Sequence, residues 1–323
     1  MSDVRRMRAA DATTNPVHGT PRWRPVKSLW YTLHVAVAVY AVTMMFSFTA
    51  AAVAGMLTTA TLCFGHSVGL HRLLIHRSFK CPRWLEYAMV YTGVLVGMGG
   101  PRKMLYMHDI RDWSQRHPQC HPFYIHARPI YIDWWWNLHC ELKLDSPPIF
   151  QPERRVTRSR VYALMDRYWM LMQLPLAVCL FAVGGWAWVA WGISFRIALS
   201  LTGHWLVGYL AHNIGQQDWH VRGAAVQGYN VVGLGLITMG EAWHNNHHAF
   251  PESARLGHHR GQNDAGWWLL CLLEKIDLVW DIQLPANLPH RPELVRVVQN
   301  HKASAGKLSG KALAAGECQP TRG

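Results

Sequence analysis

The sequence predicts an all-α integral membrane protein with four transmembrane helices in two hairpins and a helical cap on the cytoplasmic side. Two intervals almost free of charge support this prediction. No Asp, Glu, Lys or Arg occurs between Lys27 and Arg72, an interval of 44 residues. Between Arg167 and Asp218 the only charged residue is Arg196. Because about 20 consecutive apolar residues cross a bilayer as a helix, each interval has room for two transmembrane helices.

The distribution of positive charge sets the orientation. Of the Lys and Arg residues, 6 precede Ser28, 15 lie in the segment 72–167 and 10 follow Asp218. The two expected hairpin turns, near Ser47 and near Gly184–Trp191, contain none. The positive-inside rule therefore places both termini and the middle segment in the cytoplasm, with the protein in the cell (inner) membrane. Topology and anionic membrane lipid account for the net charge of +13, so the charge indicates no nucleic-acid partner.

The same pattern divides the chain into three parts. They are a basic N-terminal tail, a membrane and cap domain and a loosely ordered C-terminal tail, with the bounds 1–28, 29–284 and 285–323. The four spans are expected at roughly 29–46, 48–70, 168–186 and 192–213. The apolar run 85–100 is short for a span and predicts a re-entrant or interfacial helix. The apolar stripe of 267–280 predicts an amphipathic helix at the membrane surface.

A histidine-rich motif follows the second pair of spans, in the stretch Gly-Glu-Ala-Trp-His-Asn-Asn-His-His-Ala-Phe-Pro at 240–251. On a helix, His247 and His248 lie one turn beyond His244, so the three imidazoles can face one point. Neutral imidazole is the commonest metal ligand and suits iron, zinc or copper. The motif therefore indicates a metal site, the alternative being a His-rich turn on a soluble surface.

Further histidines lie at the cytoplasmic ends of the expected spans. His71 and His76 are five residues apart, about 140° on a regular helix, so they share a site only where the helix ends or widens. His117 and His121 are four apart and can share a helical face with Cys120. His212 ends the fourth span. For His108, His126 and His139 the sequence indicates a surface or supporting role more strongly than ligation.

The predicted topology brings these pieces together below the bilayer surface. The converging residues are His71, His76, His117, His121, His212, His244, His247 and His248. Eight imidazoles exceed the needs of one ion, so two metal ions are expected. A site rich in nitrogen favours redox-active iron, because a structural zinc would more typically use cysteines.

The order and spacing of these motifs resemble the membrane fatty acid desaturases, in particular the stearoyl-CoA desaturase-like branch. The similarity covers roughly residues 28–280. It implies a mushroom-shaped, four-span fold with a di-iron centre of two Fe2+ ions. It also implies a reaction in which O2 and two electrons remove two hydrogens from adjacent methylenes of an acyl chain. His212 matches an additional ligand of the family near the end of the fourth span.

Three places depart from the family pattern, one of them the pair just before His117, which is Gln115-Arg116 where acyl-CoA members usually have Arg-Asp. The family's second motif usually reads His-x-x-His-His, and here Cys120 occupies the middle position. The sequence leaves open whether Cys120 binds iron or only packs against the cap. Four residues before His212, where acyl-CoA members have an Asn that holds a water on one iron, this chain has Gly208. Glu241 and Asn245, which adjoin ligands, are expected to orient the imidazole rings through hydrogen bonds.

Partners and alternatives follow from the same residues. The substrate is expected to be an acyl-CoA or another acyl-lipid. The sequence contains no His-Pro-Gly-Gly haem signature, so we expect electrons from a separate ferredoxin- or rubredoxin-like protein and its reductase. A hydroxylase using the same di-iron site is the nearest alternative enzyme. A membrane metal-binding or transport protein is the alternative outside the enzymes, although its histidines would be expected to line a path through the bilayer.

Overall fold

The computed structural model describes residues 6–297 of the chain, and it is mostly helical. Two helices in this part are long and apolar enough to cross a membrane, Phe48–Ile75 and Leu171–Asn213. The first consists of α2 (Phe48–Ala60) and a π-helix (Thr61–Ile75). It follows α1 (Pro25–Met44), which begins four residues before the expected span. Ser47 caps α2, because its side chain accepts a hydrogen bond from the Ala50 amide at 3.1 Å.

The second apolar helix is a hairpin rather than one rod. It contains a 3-10 turn, α9, a second π-helical segment and α10, with the bounds Leu171–Gln173, Leu174–Val189, Ala190–Phe195 and Arg196–Asn213. The backbone leaves the helical region at Gly185, where φ is 62°. Leu180 then packs against Ile193 and Ile197. The two halves therefore run back along each other from the turn.

Shorter helices make up the rest of the helical structure in the described residues. Those before the second hairpin are α3 to α8, with the bounds Arg83–Val94, Pro101–Gln115, Pro122–Ile125, Ile130–His139, Arg154–Thr157 and Arg160–Arg167. Those after it are α11 and α12 and a 3-10 turn, His244–Ala249, Ala265–Lys275 and Pro285–Asn287. The expected re-entrant helix corresponds to α3, which packs on the π-helix Thr61–Ile75.

The prediction of an all-helical fold missed three short antiparallel ribbons. They pair β1 with β4, β2 with β3 and β5 with β6. The six strands are Met7–Arg8, Gly19–Trp23, Cys140–Leu144, Ile149–Phe150, Trp219–Val221 and Leu294–Arg296. Each is at most five residues long, and so short an element leaves little periodicity to read in a sequence.

These ribbons attach both predicted tails to the body of the protein. On the N-terminal side, the buried Arg6 donates from Nε to Asp109 Oδ2 at 2.5 Å and from Nη2 to the Ile75 carbonyl at 2.7 Å. On the C-terminal side, Arg291 Nη1 donates to the His248 carbonyl at 3.0 Å. Residues 285–297 of the predicted C-terminal tail thus contact the rest of the protein, and residues 298–323 lie outside the described residues.

Candidate metal centre

Four histidines from three separate parts of the chain form the first cluster. The four-histidine cluster consists of His71, His76, His108 and His247, whose ligand atoms all lie within 4.8 Å of one another. His76 Nε2 is 3.3 Å from His108 Nε2, and the ring centroids of His71 and His247 are 4.6 Å apart. The π-helix explains the first pair, because its i to i+5 hydrogen bond from the His76 amide to the His71 carbonyl (3.0 Å) aligns residues five apart.

Three more histidines form a second, adjoining cluster. The three-histidine cluster consists of His212 at the end of α10 and His244 and His248 on α11. His244 Nε2 is 3.3 Å from His212 Nε2 and 3.1 Å from His248 Nε2. The clusters touch through α11, where the ring centroids of His244 and His247 are 5.6 Å apart. One short helix thus supplies ligands on two of its sides.

The separations of these nitrogens fit a bound metal. Two ligands each about 2.1 Å from one ion, at angles between 90° and 109°, lie about 3.0–3.4 Å apart. The Nε2 to Nε2 distances of 3.1–3.3 Å fall in this range. Each cluster is composed of imidazole alone, which suits first-row transition metals better than calcium or magnesium. The residues therefore fit two metal ions, one in each cluster.

The surroundings keep the imidazoles in the form that binds metal. Burial lowers the pKa of His244 and His247 well below the ordinary value, and the neighbouring imidazoles lower it further. Burial likewise lowers the pKa of His248 to about 4. These rings are neutral at physiological pH, and only a neutral imidazole has a lone pair for a metal.

Glu241, which belongs to the third histidine motif (residues 240–251), contacts the four-histidine cluster. Its Oε2 is 2.7 Å from His71 Nδ1, and its Oε1 accepts a hydrogen bond from Ser67 Oγ at 2.5 Å. Burial disfavours the charged carboxylate, but His71, Arg72 and His66 together outweigh it and lower the pKa of Glu241 to about 2. An ionised acceptor at Nδ1 fixes the orientation of the His71 ring and leaves Nε2 to face the cluster.

Sequence comparison identifies the family of the chain. No family model matches the chain. An sn-1 stearoyl-lipid 9-desaturase of Anabaena variabilis is 32% identical over 258 residues, which cover 78% of this chain and 90% of the relative. The chain belongs to the membrane fatty acid desaturase family.

Two other relatives of the desaturase have different names. An sn-2 palmitoyl-lipid 9-desaturase of a Nostoc strain is 32% identical, with 66% of this chain and 74% of the relative covered. An acyl-CoA 5-desaturase of Anemone leveillei is 30% identical, with 73% of each chain covered. The family thus includes enzymes named for acyl-lipid and for acyl-CoA substrates.

The desaturase does not bring His117, His121 or Cys120 into either cluster. Their placement on one helical face was expected, but α4 ends at Gln115 and α5 begins only at Pro122. His117 Nδ1 lies 2.7 Å from the Trp113 carbonyl, and His121 Nδ1 accepts a hydrogen bond from the Phe123 amide at 3.1 Å. A proline after each histidine disfavours the helical conformation there, so the i, i+4 geometry does not form.

Cys120 lies in an apolar environment instead of at a metal site. It is 5% exposed and belongs to a hydrophobic cluster with Trp113, Phe123 and Tyr124. Burial raises the pKa of its thiol to about 12, which disfavours the thiolate that a metal would need. Of the two interpretations that the sequence left open, this geometry favours packing.

Asn245 also differs from its expected role. Among the described residues, its side chain forms no hydrogen bond to an imidazole. Its Oδ1 instead accepts hydrogen bonds from the Asp218 and Trp219 amides, which follow α10, both at 2.8 Å. On α11 it is about 100° from His244 and therefore points away from the three-histidine cluster. Asn245 therefore holds α11 in place and does not orient an imidazole ring.

The sequence interpretation missed His108 as a member of the centre. His108 lies in the middle of α4, and four residues later Asp112 lines a small cavity with His247, His248 and Arg291. Asp112 Oδ2 is 3.9 Å from His108 Nδ1. Two prolines in the sequence could have indicated this helix, because Pro101 is typical of a helix start and Pro118 prevents its extension. His108 is the only histidine within α4.

Proposed function

We propose that this desaturase inserts a cis double bond into a fatty acyl chain, using O2 and two electrons at a centre of two Fe2+ ions. The observation that supports this most directly is the pair of adjoining imidazole clusters, which together offer seven nitrogen ligands. Bound iron would supply the oxidising power that breaks unactivated C–H bonds, which side-chain acids and bases cannot provide. Family membership supports the same reaction class.

The protein's own residues hold this site in place. Glu241 and Ser67 fix His71, and α11 places three histidines within one and a half turns. Gly228 lets the chain pass directly beneath α11, because a Cβ there would lie 2.7 Å from the His244 carbonyl oxygen and 2.9 Å from His248 Cδ2. Such backing limits movement of the imidazoles once they are in position.

We also propose that four spans in two hairpins carry the centre at the cytoplasmic surface. α1 has 20 residues, a length that crosses about 30 Å of hydrocarbon. Its hairpin turn is at Ser47, and the other turn is at Gly185. The cluster histidines of the two hairpins, His71 and His212, lie at the ends of their helices opposite these turns. A cap formed by the shorter helices would then cover the centre on the cytoplasmic side.

The acyl substrate is the remaining component. An apolar groove of about 390 Å³ runs between α1 and α10, with Val35, Ala38, Ala198 and Leu199 in its walls. A groove of this composition suits a hydrocarbon chain. We propose an acyl-lipid or acyl-CoA substrate, on the basis of the named relatives, and a separate ferredoxin- or rubredoxin-like donor with its reductase.

Expression in a host without desaturases tests the proposal. New double bonds in the host lipids, located by mass spectrometry, are the expected result. His244→Ala and His248→Ala should abolish them while the protein remains in the membrane. Hydroxylated chains without double bonds would instead indicate the related oxygenase reaction, and metal flux without O2 consumption in proteoliposomes would indicate a transporter. Either outcome contradicts the proposed reaction.

A further inference from the structure

A further histidine, His126, lies against the three-histidine cluster without belonging to it. It is 2% exposed. Its ring is stacked on that of His212, with centroids 5.1 Å apart and an interplanar angle of 26°. His212, in turn, is 3.3 Å from His244 through the Nε2 atoms. His126 therefore contacts a member of the three-histidine cluster but is not itself a member.

A buried carboxylate fixes the orientation of the His126 ring. His126 Nδ1 is 2.9 Å from Asp133 Oδ1, and Asp133 is 0% exposed. The same oxygen accepts hydrogen bonds from Trp205 Nε1 at 2.8 Å and Asn137 Nδ2 at 3.1 Å, so the carboxylate is itself held. An acceptor at Nδ1 keeps the proton on that nitrogen and leaves the lone pair on Nε2. Histidines that bind metals are commonly held by a carboxylate in this way.

The other ring nitrogen of His126 lies beside α10, the helix that carries His212. Nε2 is buried and has no hydrogen-bond partner among the described residues. It lies over Gly208 of α10, since a Cβ at that position would be 3.8 Å from Nε2. The Gly208 carbonyl is 2.7 Å from Nδ1 of His212, a member of the three-histidine cluster. A buried polar atom without a partner is costly, so a missing partner is expected there.

The backbone at His126 is also constrained. Its φ of 57° is in the left-handed region, which is uncommon for a residue other than glycine. Asn213 Nδ2 donates to the His126 carbonyl at 3.0 Å and holds this conformation next to the end of α10. Such strain persists where surrounding contacts enforce it, and functional sites are common examples.

We propose that His126 Nε2 accepts a hydrogen bond from a water molecule held over Gly208, and that this water is the fourth ligand of the metal ion in the three-histidine cluster. Three protein ligands leave positions open on a metal ion. The Nε2 atom is not among the nitrogens that lie within 4.8 Å of one another, which favours a water between His126 and the ion over direct ligation. The inference rests on the proposed iron centre and adds a residue to it.

The test compares two buried histidines, each of which has a hydrogen-bond partner at Nδ1 and none at Nε2 among the described residues. His139 is 4% exposed, its Nδ1 is bonded to Ser28 Oγ at 2.6 Å, and its Nε2 has no partner among the described residues, but it contacts neither cluster. Wild type, His126→Gln and His139→Gln would be purified with Fe2+. The measurements are iron per chain and the rate of iron release to a chelator, both independent of turnover.

We expect wild type and His139→Gln to hold two ions with the same release rates. His126→Gln should retain the ion of the four-histidine cluster with an unchanged rate and release the other about 10–100-fold faster. The retained ion reports within the same molecules that the protein is folded. Two ions with wild-type release in His126→Gln, even with a lower unfolding temperature, would assign the residue a structural role and overturn the proposal.

A second pair of variants tests the water. Gly208→Ala adds a methyl group to the space beneath Nε2, whereas a Cβ at Gly203, on the same helix, would meet nothing within 4 Å. Gly208→Ala should accelerate release of the same ion and Gly203→Ala should not. No effect of Gly208→Ala would overturn the proposed water. If wild type binds no iron, the proposed function itself fails; two ions in wild type with no effect of His126→Gln would refute only this inference.

Discussion

At the scale of single residues, Glu241 links two histidine motifs that are far apart in the sequence. Glu241 precedes the histidines of the third motif (residues 240–251) in the sequence. Its carboxylate contacts His71 of the first motif (His71 and His76) at 2.7 Å. Ser67 donates to the other oxygen and prevents the carboxylate from rotating away. Removing its charge would retain the shape of the side chain but weaken its hold on the ring.

We therefore expect Glu241→Gln to lower iron affinity or turnover about 10–100-fold, with normal insertion into the membrane. A glutamine has one acceptor oxygen where Glu241 has two, so if it accepts from Ser67 it presents an NH2 donor to the His71 imidazole. Iron content by mass spectrometry and product formation measure the effect. Glu252→Gln is the matched control, because Glu252 is exposed in the turn after α11. Equal iron content and activity in Glu241→Gln and wild type would refute the assigned role.

Cys120 provides a second prediction at this scale. Because its thiol is packed among apolar side chains, Cys120→Ala should leave two irons bound and cost about 1 kcal/mol of stability. Cys120→His, which would restore the usual family residue, should instead destabilise the protein by introducing a larger polar group into the core. Thermal unfolding and iron content would be measured. Loss of one iron in Cys120→Ala, together with a sulfur-to-iron absorption band that the oxidised wild type has and this variant lacks, would contradict this prediction.

The third and second histidine motifs show where residue spacing predicts the site and where it fails. The spacing of His244, His247 and His248 predicts one helix, which the structure shows, and one shared site, which it does not. His247 lies in the four-histidine cluster, and the other two lie in the three-histidine cluster. For His117 and His121 the same i, i+4 argument assumed a helix that ends at Gln115. The prolines at 118 and 122 contained the missing information, but the partner of His108 is distant in sequence and depends on tertiary packing.

At the scale of elements, the π-helix Thr61–Ile75 brings the two histidines of the first motif together. On a regular helix His71 and His76 would point in different directions, whereas here their ring centroids are 4.7 Å apart. The sequence could predict that the helix must end or widen, but not which. Widening occurs where α3 crosses closely, at Gly65, Gly69 and Gly93, and that contact depends on both elements.

The contact between the π-helix and α3 gives the third prediction. A Cβ at Gly65 would overlap the backbone of Thr92 and Gly93. Gly65→Ala should therefore destabilise the protein by about 1–3 kcal/mol and reduce iron in the four-histidine cluster. Gly55→Ala, ten residues earlier in the same long helix, is the control because a Cβ there meets nothing within 4 Å. Thermal unfolding in detergent is the measurement, and equal unfolding temperatures for the two variants would contradict the expectation.

At the scale of the whole molecule, one buried ion pair connects the apolar helices with the part that follows them. Arg72 Nη2 is 2.7 Å from Asp264 Oδ1, and Arg72 also donates to the Met239 and Ala254 carbonyls at 2.9 and 2.8 Å. Asp264 in addition caps α12 through the Trp267 amide at 2.9 Å. Charge segregation in the sequence indicated the apolar helices and the hairpin turns. It contained no signal for this pairing across 192 residues.

The orientation of the molecule gives the last prediction. Both tails and the segment 72–167 contain nearly all of the positive charge, whereas the turns at Ser47 and Gly185 contain none, so the turns should lie outside the cell. Thr49→Cys is suitable for labelling, because Thr49 is exposed and, unlike Ser47, does not cap α2. A membrane-impermeant maleimide applied to intact cells should label Thr49→Cys and not Glu252→Cys, which is exposed near the metal centre. Lysed cells should show labelling of both, which establishes that each site can react. Labelling of Glu252→Cys alone in intact cells would reverse the proposed orientation and place the metal centre on the outer face.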